Sequence, residues 1–391
     1  MTTPAFPRTL LAALVALLLV ASACGGDADD GAEPAPTTTT AAAPDTTTAA
    51  ADDAPTGILD PGPATHLGAS WFSPPPPESS AVIGDHWDDV TAASSVARFM
   101  IDWVDVEPDR GDVRVDEIEE WLASTTDQGL QPMVSIVALD LSGTDVPDWL
   151  GGFDPEPAAA AYLAMAEQVV PILERHDVWL FAIANEPPLG DYDGDELADF
   201  ATFVELVMAG MDELAPDLAT TFTFAGGDPF IDDPAIERMV DAVDVLSVNH
   251  YCLDATLQVT GLDDIAGPID RIVARAGSLP VVFQEFGCPA ATSMGSSDEY
   301  QLAWFDAALA HIAASEQVRA AFVFEFLDWS PETFALDYGS VVDVLIEEVG
   351  EAFTTRFEDW VLTSGLVRID GTTRPAFDLY LEAAPAMASA G

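Results

Sequence analysis

The sequence contains no lysine. Lys and Arg together number 12, all of them Arg, against 68 Asp and Glu, a net charge of -56 over 391 residues. A surface of that sign repels nucleic acid and anionic membrane headgroups, so both are excluded as partners and a neutral or cationic one is favoured. The composition is like that of salt-adapted proteins, and for most of these carboxylates solubility is role enough. Cysteine is scarce, at three. No zinc-ligand cluster, GxGxxG or Walker loop, GxSxG elbow or internal repeat is present, which removes the commonest nucleotide, metal and serine-hydrolase signatures. Long apolar runs are missing too. Leu10 to Val20, behind Arg8, is too short for a permanent membrane span and fits the apolar region of a signal peptide.

That leader ends in Ala21-Ser22-Ala23-Cys24-Gly25. A Cys behind small residues resembles the lipobox of bacterial lipoproteins. The resemblance implies cleavage before Cys24 and lipidation of its thiol, with an ordinary signal peptide as the alternative. Residues 1–23 then form the signal peptide. Residues 24–56, rich in Ala, Thr, Pro and Asp, form a tether too poor in bulky apolar groups to build a core, and 57–391 form one domain. The expected location is the outer face of the cell membrane, held only through a lipid on Cys24, or free secretion. Cys252 and Cys288 are left as one disulfide or two buried thiols.

From Thr65 to Ala384 short apolar runs alternate with longer amphipathic ones. The strand candidates begin at His66, Val96, Gln131, Val178, Thr220, Val243, Leu279 and Ala320, with helical patterns between most of them. Eight such units predict an α/β fold, a parallel sheet closed as a single (β/α)8 TIM barrel. An insertion, Ser330 to Thr363, precedes the last helix and is placed to act as a lid.

The fourth run stops on Asn185-Glu186-Pro187 and the seventh on Gln284-Glu285-Phe286-Gly287. Proline ends a strand because it cannot donate to the ladder. In a closed barrel strands four and seven face each other across the mouth. Two carboxylates there suit glycosidic bond cleavage, and at about 5–5.5 Å they serve a retaining double displacement. Arg98, early on strand two, can point inward and hold a carboxylate by charge and hydrogen bonds. Tyr251 ends strand six beside Glu285. Trp329 follows strand eight, where an aromatic face suits a pyranose ring. Each of the three also has a plain packing role.

At these residues the chain resembles the clan of retaining TIM-barrel glycoside hydrolases that includes cellulases, mannanases, β-galactosidases and β-xylosidases. The resemblance covers residues 60–384. It implies that Glu186 is the general acid/base, that Asn185 binds the sugar 2-hydroxyl and that Glu285 is the nucleophile. Arg98 and Tyr251 then orient Glu285, and Trp329 stacks on the sugar. Trp103, in Trp103-Val-Asp-Val-Glu-Pro108, matches the clan's strand-two exit and is expected to touch substrate. His250 either faces the site or packs outside. Glu325 and Asp328 are further carboxylates that bind hydroxyls, tune Glu186 or lie outside the barrel.

The expected function is a monomeric retaining β-glycosidase acting outside the cell on a neutral poly- or oligosaccharide, needing no metal or cofactor. A sugar-binding lipoprotein of an uptake system would share the anchor but have two hinged lobes. A barrel that only binds glycan is the third alternative.

Overall fold

The eight apolar runs fold as eight parallel strands. A computed structural model of the chain describes residues 58–59, 64–69, 86–140, 143–187, 189–192, 194–339, 342, 346 and 349–389. The leader, Cys24 and the tether lie outside the described residues.

The strands are β1 (His66–Ala69), β2 (Val96–Asp102), β3 (Gln131–Asp140), β4 (Leu180–Asn185), β5 (Ala219–Phe224), β6 (Leu246–Tyr251), β7 (Val281–Gly287) and β8 (Val318–Val323). In the sheet they run β1-β8-β7-β6-β5-β4-β3-β2. A two-residue strand, Gly143–Thr144, folds back antiparallel on β3. The seam between β1 and β2 closes the ring. Ser95 N donates to Leu67 O at 3.2 Å, and a Cβ on Gly68 would stand 2.4 Å from the Val96 carbonyl oxygen. Only glycine lets the two backbones approach that closely. The result is one barrel, not two hinged lobes.

Helices cover the outside: α1 (86–93), α2 (Val115–Asp127), α3 (Pro155–Arg175), α4 (Gly194–Leu214), α5 (Pro234–Ala242), α6 (Ala266–Ala276) and α7 (Asp298–Ala313), then α8 (Pro331–Asp337), α9 (Glu351–Thr363) and α10 (Pro375–Ala388). Their starts are set locally. Ser297 Oγ accepts from Tyr300 N at 3.1 Å, and Asp233 Oδ1 from Ala235 N at 2.8 Å, satisfying donors that a first helical turn leaves open.

The barrel interior is layered. Below lies an apolar plug that includes Val96, Met133, Leu180, Ala182, Val282 and Phe322. Side chains alternate along a strand, so Arg98 shares the inward face of Val96, one layer higher. The eighth strand ends sooner than its apolar run suggests. Phe324 N still donates to Phe286 O at 3.0 Å; beyond it the chain pairs with the segment before α10, where Leu366 N and Val367 N donate to Phe326 O at 3.0 and 2.9 Å. Glu325, Asp328 and Trp329 therefore stand on an exit loop.

The insertion folds as α8 and α9 around its own apolar cluster of Phe334, Phe353, Phe357 and Trp360. Trp360 packs edge-on against Tyr251, with centroids 5.1 Å apart. This part of the insertion forms a packed wall beside the ends of β6 to β8.

Candidate active site

Two strands carry an extra residue where they reach the mouth. Between the pairs Ala182–Thr221 and Asn185–Thr223, β4 has one residue more than β5. Between Val248–Phe283 and Asn249–Glu285, β7 has one more than β6. Such bulges re-aim side chains. They bring neighbouring residues of one strand, Gln284 and Glu285, into the same polar layer. Glu186 follows β4 directly, and its φ of 50° lies in the left-handed region that non-glycine residues avoid. Holding that conformation costs about 1–3 kcal/mol. Its N–H is anchored on Thr223 O at 2.9 Å.

Glu285 is 3 % exposed and donors hold both its oxygens. Arg98 Nη1 donates to Oε1 at 2.9 Å, and the Tyr251 hydroxyl donates to Oε2. Burial, then the charges of Glu285 and Glu186, push the Tyr251 phenol well above its ordinary range, so it stays a donor.

Glu186 is 5 % exposed. Burial raises its pKa well above the usual carboxylate range, and the nearby Glu285 and Asp228 add to the shift. A hydrogen bond from Asn249 and the charge of Arg98 oppose it. The net direction leaves Glu186 protonated where an ordinary carboxyl is not.

Between the two sits Asn185. Its Oδ1 accepts from Gln284 Nε2 at 2.7 Å and from Arg98 Nη2 and Asn249 Nδ2 at 3.3 Å each. Three donors on one oxygen fix the amide and turn its nitrogen the other way. The chain has only two Asn, 185 and 249, and they meet here. Asn249 and Gln284 are thus part of the site, although the sequence reading did not single them out.

Trp329 is half-buried, and its indole N–H donates to Glu325. Glu325 is buried, which raises its pKa well above the ordinary range, and the charges of Glu285 and Asp328 add to this. Asp328 has a structural partner: Arg374 holds both its oxygens at 2.7 Å. Cys252 and Cys288 form a disulfide with Cα atoms 5.1 Å apart, joining the ends of β6 and β7 just beyond Tyr251 and Gly287. Closing a 36-residue separation restricts the unfolded chain by about 4 kcal/mol on a chain-entropy argument.

One expected contact, Trp103, is corrected, and His250 takes the outward of its two expected orientations. Trp103 is fully buried and starts a helical turn after β2. It packs between Trp149 and Tyr162 and donates to Glu107 at 3.3 Å, so it cannot touch a substrate. His250 points out of the barrel into Phe283, Phe286 and Trp304. Burial, then the charge of Arg271, lowers its pKa to about 4, so the ring is neutral, and it also lines the cavity that opens beside Glu186.

A cavity of about 240 Å³ opens beside Glu186, Asn249 and Tyr251 and runs outward to α6. At the exits of β2 and β3, Asp102, Asp140 and Asp145 place one carboxylate oxygen each within 4.8 Å of one another. Burial first, then mutual repulsion, raises Asp102 to about 6 and Asp145 to about 8.

Neither a protein-family model nor a curated protein matches the chain in sequence. Solved structures do match it in fold. An exo-beta-1,4-mannosidase from Opitutaceae bacterium strain TAV5 superposes with a TM-score of 0.61 at 18 % identity, over 83 % of this chain and 60 % of that one. GH5_18 from Streptomyces cattleya, in complex with Manb1-4GlcNAc, gives 0.62 at 15 % identity, over 84 % and 82 %. A family 39 glycoside hydrolase from the gut symbiont Bacteroides cellulosilyticus WH2 gives 0.58 at 15 %, over 84 % and 65 %. The chain thus spans 60 % of the mannosidase's length, and what it shares with all three is the barrel.

Proposed function

We propose that the protein is a retaining β-glycoside hydrolase. The observation that carries this reading is the unequal pair at the mouth. Glu285 is gripped by Arg98 and Tyr251, and it helps keep the buried Glu186 protonated. In the proposed reaction Glu186 gives its proton to the glycosidic oxygen as the bond to the anomeric carbon breaks. A Glu285 oxygen attacks that carbon and forms a glycosyl ester. Glu186, now a carboxylate, takes a proton from water. The water oxygen bonds to the anomeric carbon, the ester bond breaks, and Glu285 is restored. Asn185 turns its amide nitrogen toward the sugar 2-hydroxyl, and Trp329 stacks on the ring.

The net charge of -56 favours a neutral sugar. Two of the similar structures bear mannosidase or Manb1-4GlcNAc in their names, which makes β-mannosides the first glycosides to try. The leader supports action outside the cell, with a lipid on Cys24 as the only tie to the membrane and a monomer as the working unit. The test is the anomer first released from an aryl β-glycoside, followed by proton NMR at low and high salt. The β-anomer is expected. The α-anomer, from a single displacement, would overturn the mechanism, and no turnover of any glycoside would leave a glycan-binding barrel.

A further inference from the structure

The cavity beside Glu186 is lined by Glu186 but not by Glu285. In the reaction proposed above, the acid delivers its proton to the leaving group, so this is the leaving-group side. Its walls beyond Glu186 include Phe230, Leu253, Leu257, Ile265, Ile272 and Trp304. Sugar hydroxyls placed against such a wall would lose water without gaining hydrogen bonds, at a cost for each one. Apolar surface fits it. Phe230, which lines the cavity, is 39 % exposed, so its apolar surface extends from the interior toward solvent. Polar residues line the cavity as well, among them Asp228, Asn249, His250, Asp254, Asp264 and Arg271, so the preference for apolar groups is that of the six side chains named first. For scale, a dry cavity of about 150 Å³ lined by aliphatic and aromatic side chains accommodates benzene. About 240 Å³ therefore admits an aryl ring or a medium-length alkyl chain.

We infer that the natural substrate carries an apolar aglycone, an alkyl or aryl group, in this cavity, instead of a second sugar. The inference rests on the glycosidase reading only for which side of the bond the group occupies; the cavity's preference for apolar groups stands apart from turnover.

The test separates the two. The full chain is titrated by calorimetry with methyl, butyl and hexyl β-thioglycosides of mannose, glucose and galactose, which are not hydrolysed. Affinity should rise by about fourfold per methylene while the chain lies in the cavity, hence more than tenfold from methyl to hexyl, with a negative heat-capacity change. Phe230→Ser, a change at an exposed position, should reduce that rise. A rise of less than tenfold for every sugar, or no binding by any hexyl member, overturns the inference. Chain-length dependence without turnover of any glycoside supports the cavity assignment and sinks the glycosidase reading. Disaccharide hydrolysis with flat chain-length dependence does the reverse.

Discussion

The ends of β4 and β7 present the same side chain in opposite surroundings. At β7, Glu285 is met by a guanidinium and a phenol, one on each oxygen. At β4, Glu186 is about as buried, yet its neighbours Glu285 and Asp228 are acidic and raise it, against the charge of Arg98. In a chain whose acids outnumber its bases 68 to 12, pairing is the rarer condition. Arg98 and Tyr251 hold one glutamate by donors, while burial and acidic neighbours raise the other. Environment, not residue type, sets the two carboxyls apart.

Removing Glu285 should break the comparison most completely. Glu285→Ala is expected to lower kcat by about 10⁴-fold or more, with azide restoring turnover as the α-glycosyl azide. Unchanged turnover in that variant would sink the mechanism. Glu186→Ala should cost about 10²–10⁴-fold on substrates with poor leaving groups. Its effect should shrink for a nitrophenolate, which leaves without a proton, so a rate ratio that ignores the leaving group would contradict the acid role. Tyr251→Phe removes one donor from Glu285 and should lower kcat by about 10²-fold, with KM changed far less.

The pH dependence sharpens the same contrast. In the proposed mechanism Glu186 works as an acid, so kcat/KM should fall as pH rises through its raised pKa. Glu285→Gln removes one cause of that shift, so the Glu186 titration, followed by carboxyl NMR, should move down and remain above the ordinary range because burial persists. No movement would mean that the two groups are not coupled. The smallest effect on activity is expected far from both ends. Trp103→Phe should cost about 1–3 kcal/mol in stability through lost packing and leave kcat/KM within about twofold.

Much of the site was legible because strand parity is strict. With Arg98 inward, Trp103 on the same run has outward parity. With Tyr251 inward, Asn249 must join it and His250 must face the helices. A substrate contact for Trp103 goes against that parity, the outward alternative for His250 follows it, and Asn249, which parity puts beside Tyr251, is not among the residues singled out from sequence. The bulges were a different matter. An extra residue in β4 and in β7 leaves no mark on composition or periodicity, yet it allows Gln284 and Glu285 to share one layer. The early end of β8 was hidden likewise, since Phe322-Val323-Phe324-Glu325-Phe326-Leu327 reads as a continuous apolar run. It stops because the backbone finds partners at Leu366 and Val367 instead of continuing the sheet. The Asp102–Asp140–Asp145 cluster needed the barrel to assemble it, since its members lie on two strand exits.

The central claim is that Glu285, and no other carboxylate of the mouth, bonds to the sugar. Incubation with 2-deoxy-2-fluoro β-glycosides of mannose, glucose and galactose carrying a dinitrophenolate leaving group should trap that bond, and peptide mass spectrometry should locate it. The account predicts a single fluoroglycosyl adduct on the peptide that contains Gln284-Glu285-Phe286. An adduct on Glu186 or Glu325, or turnover with no adduct on any peptide, would contradict it.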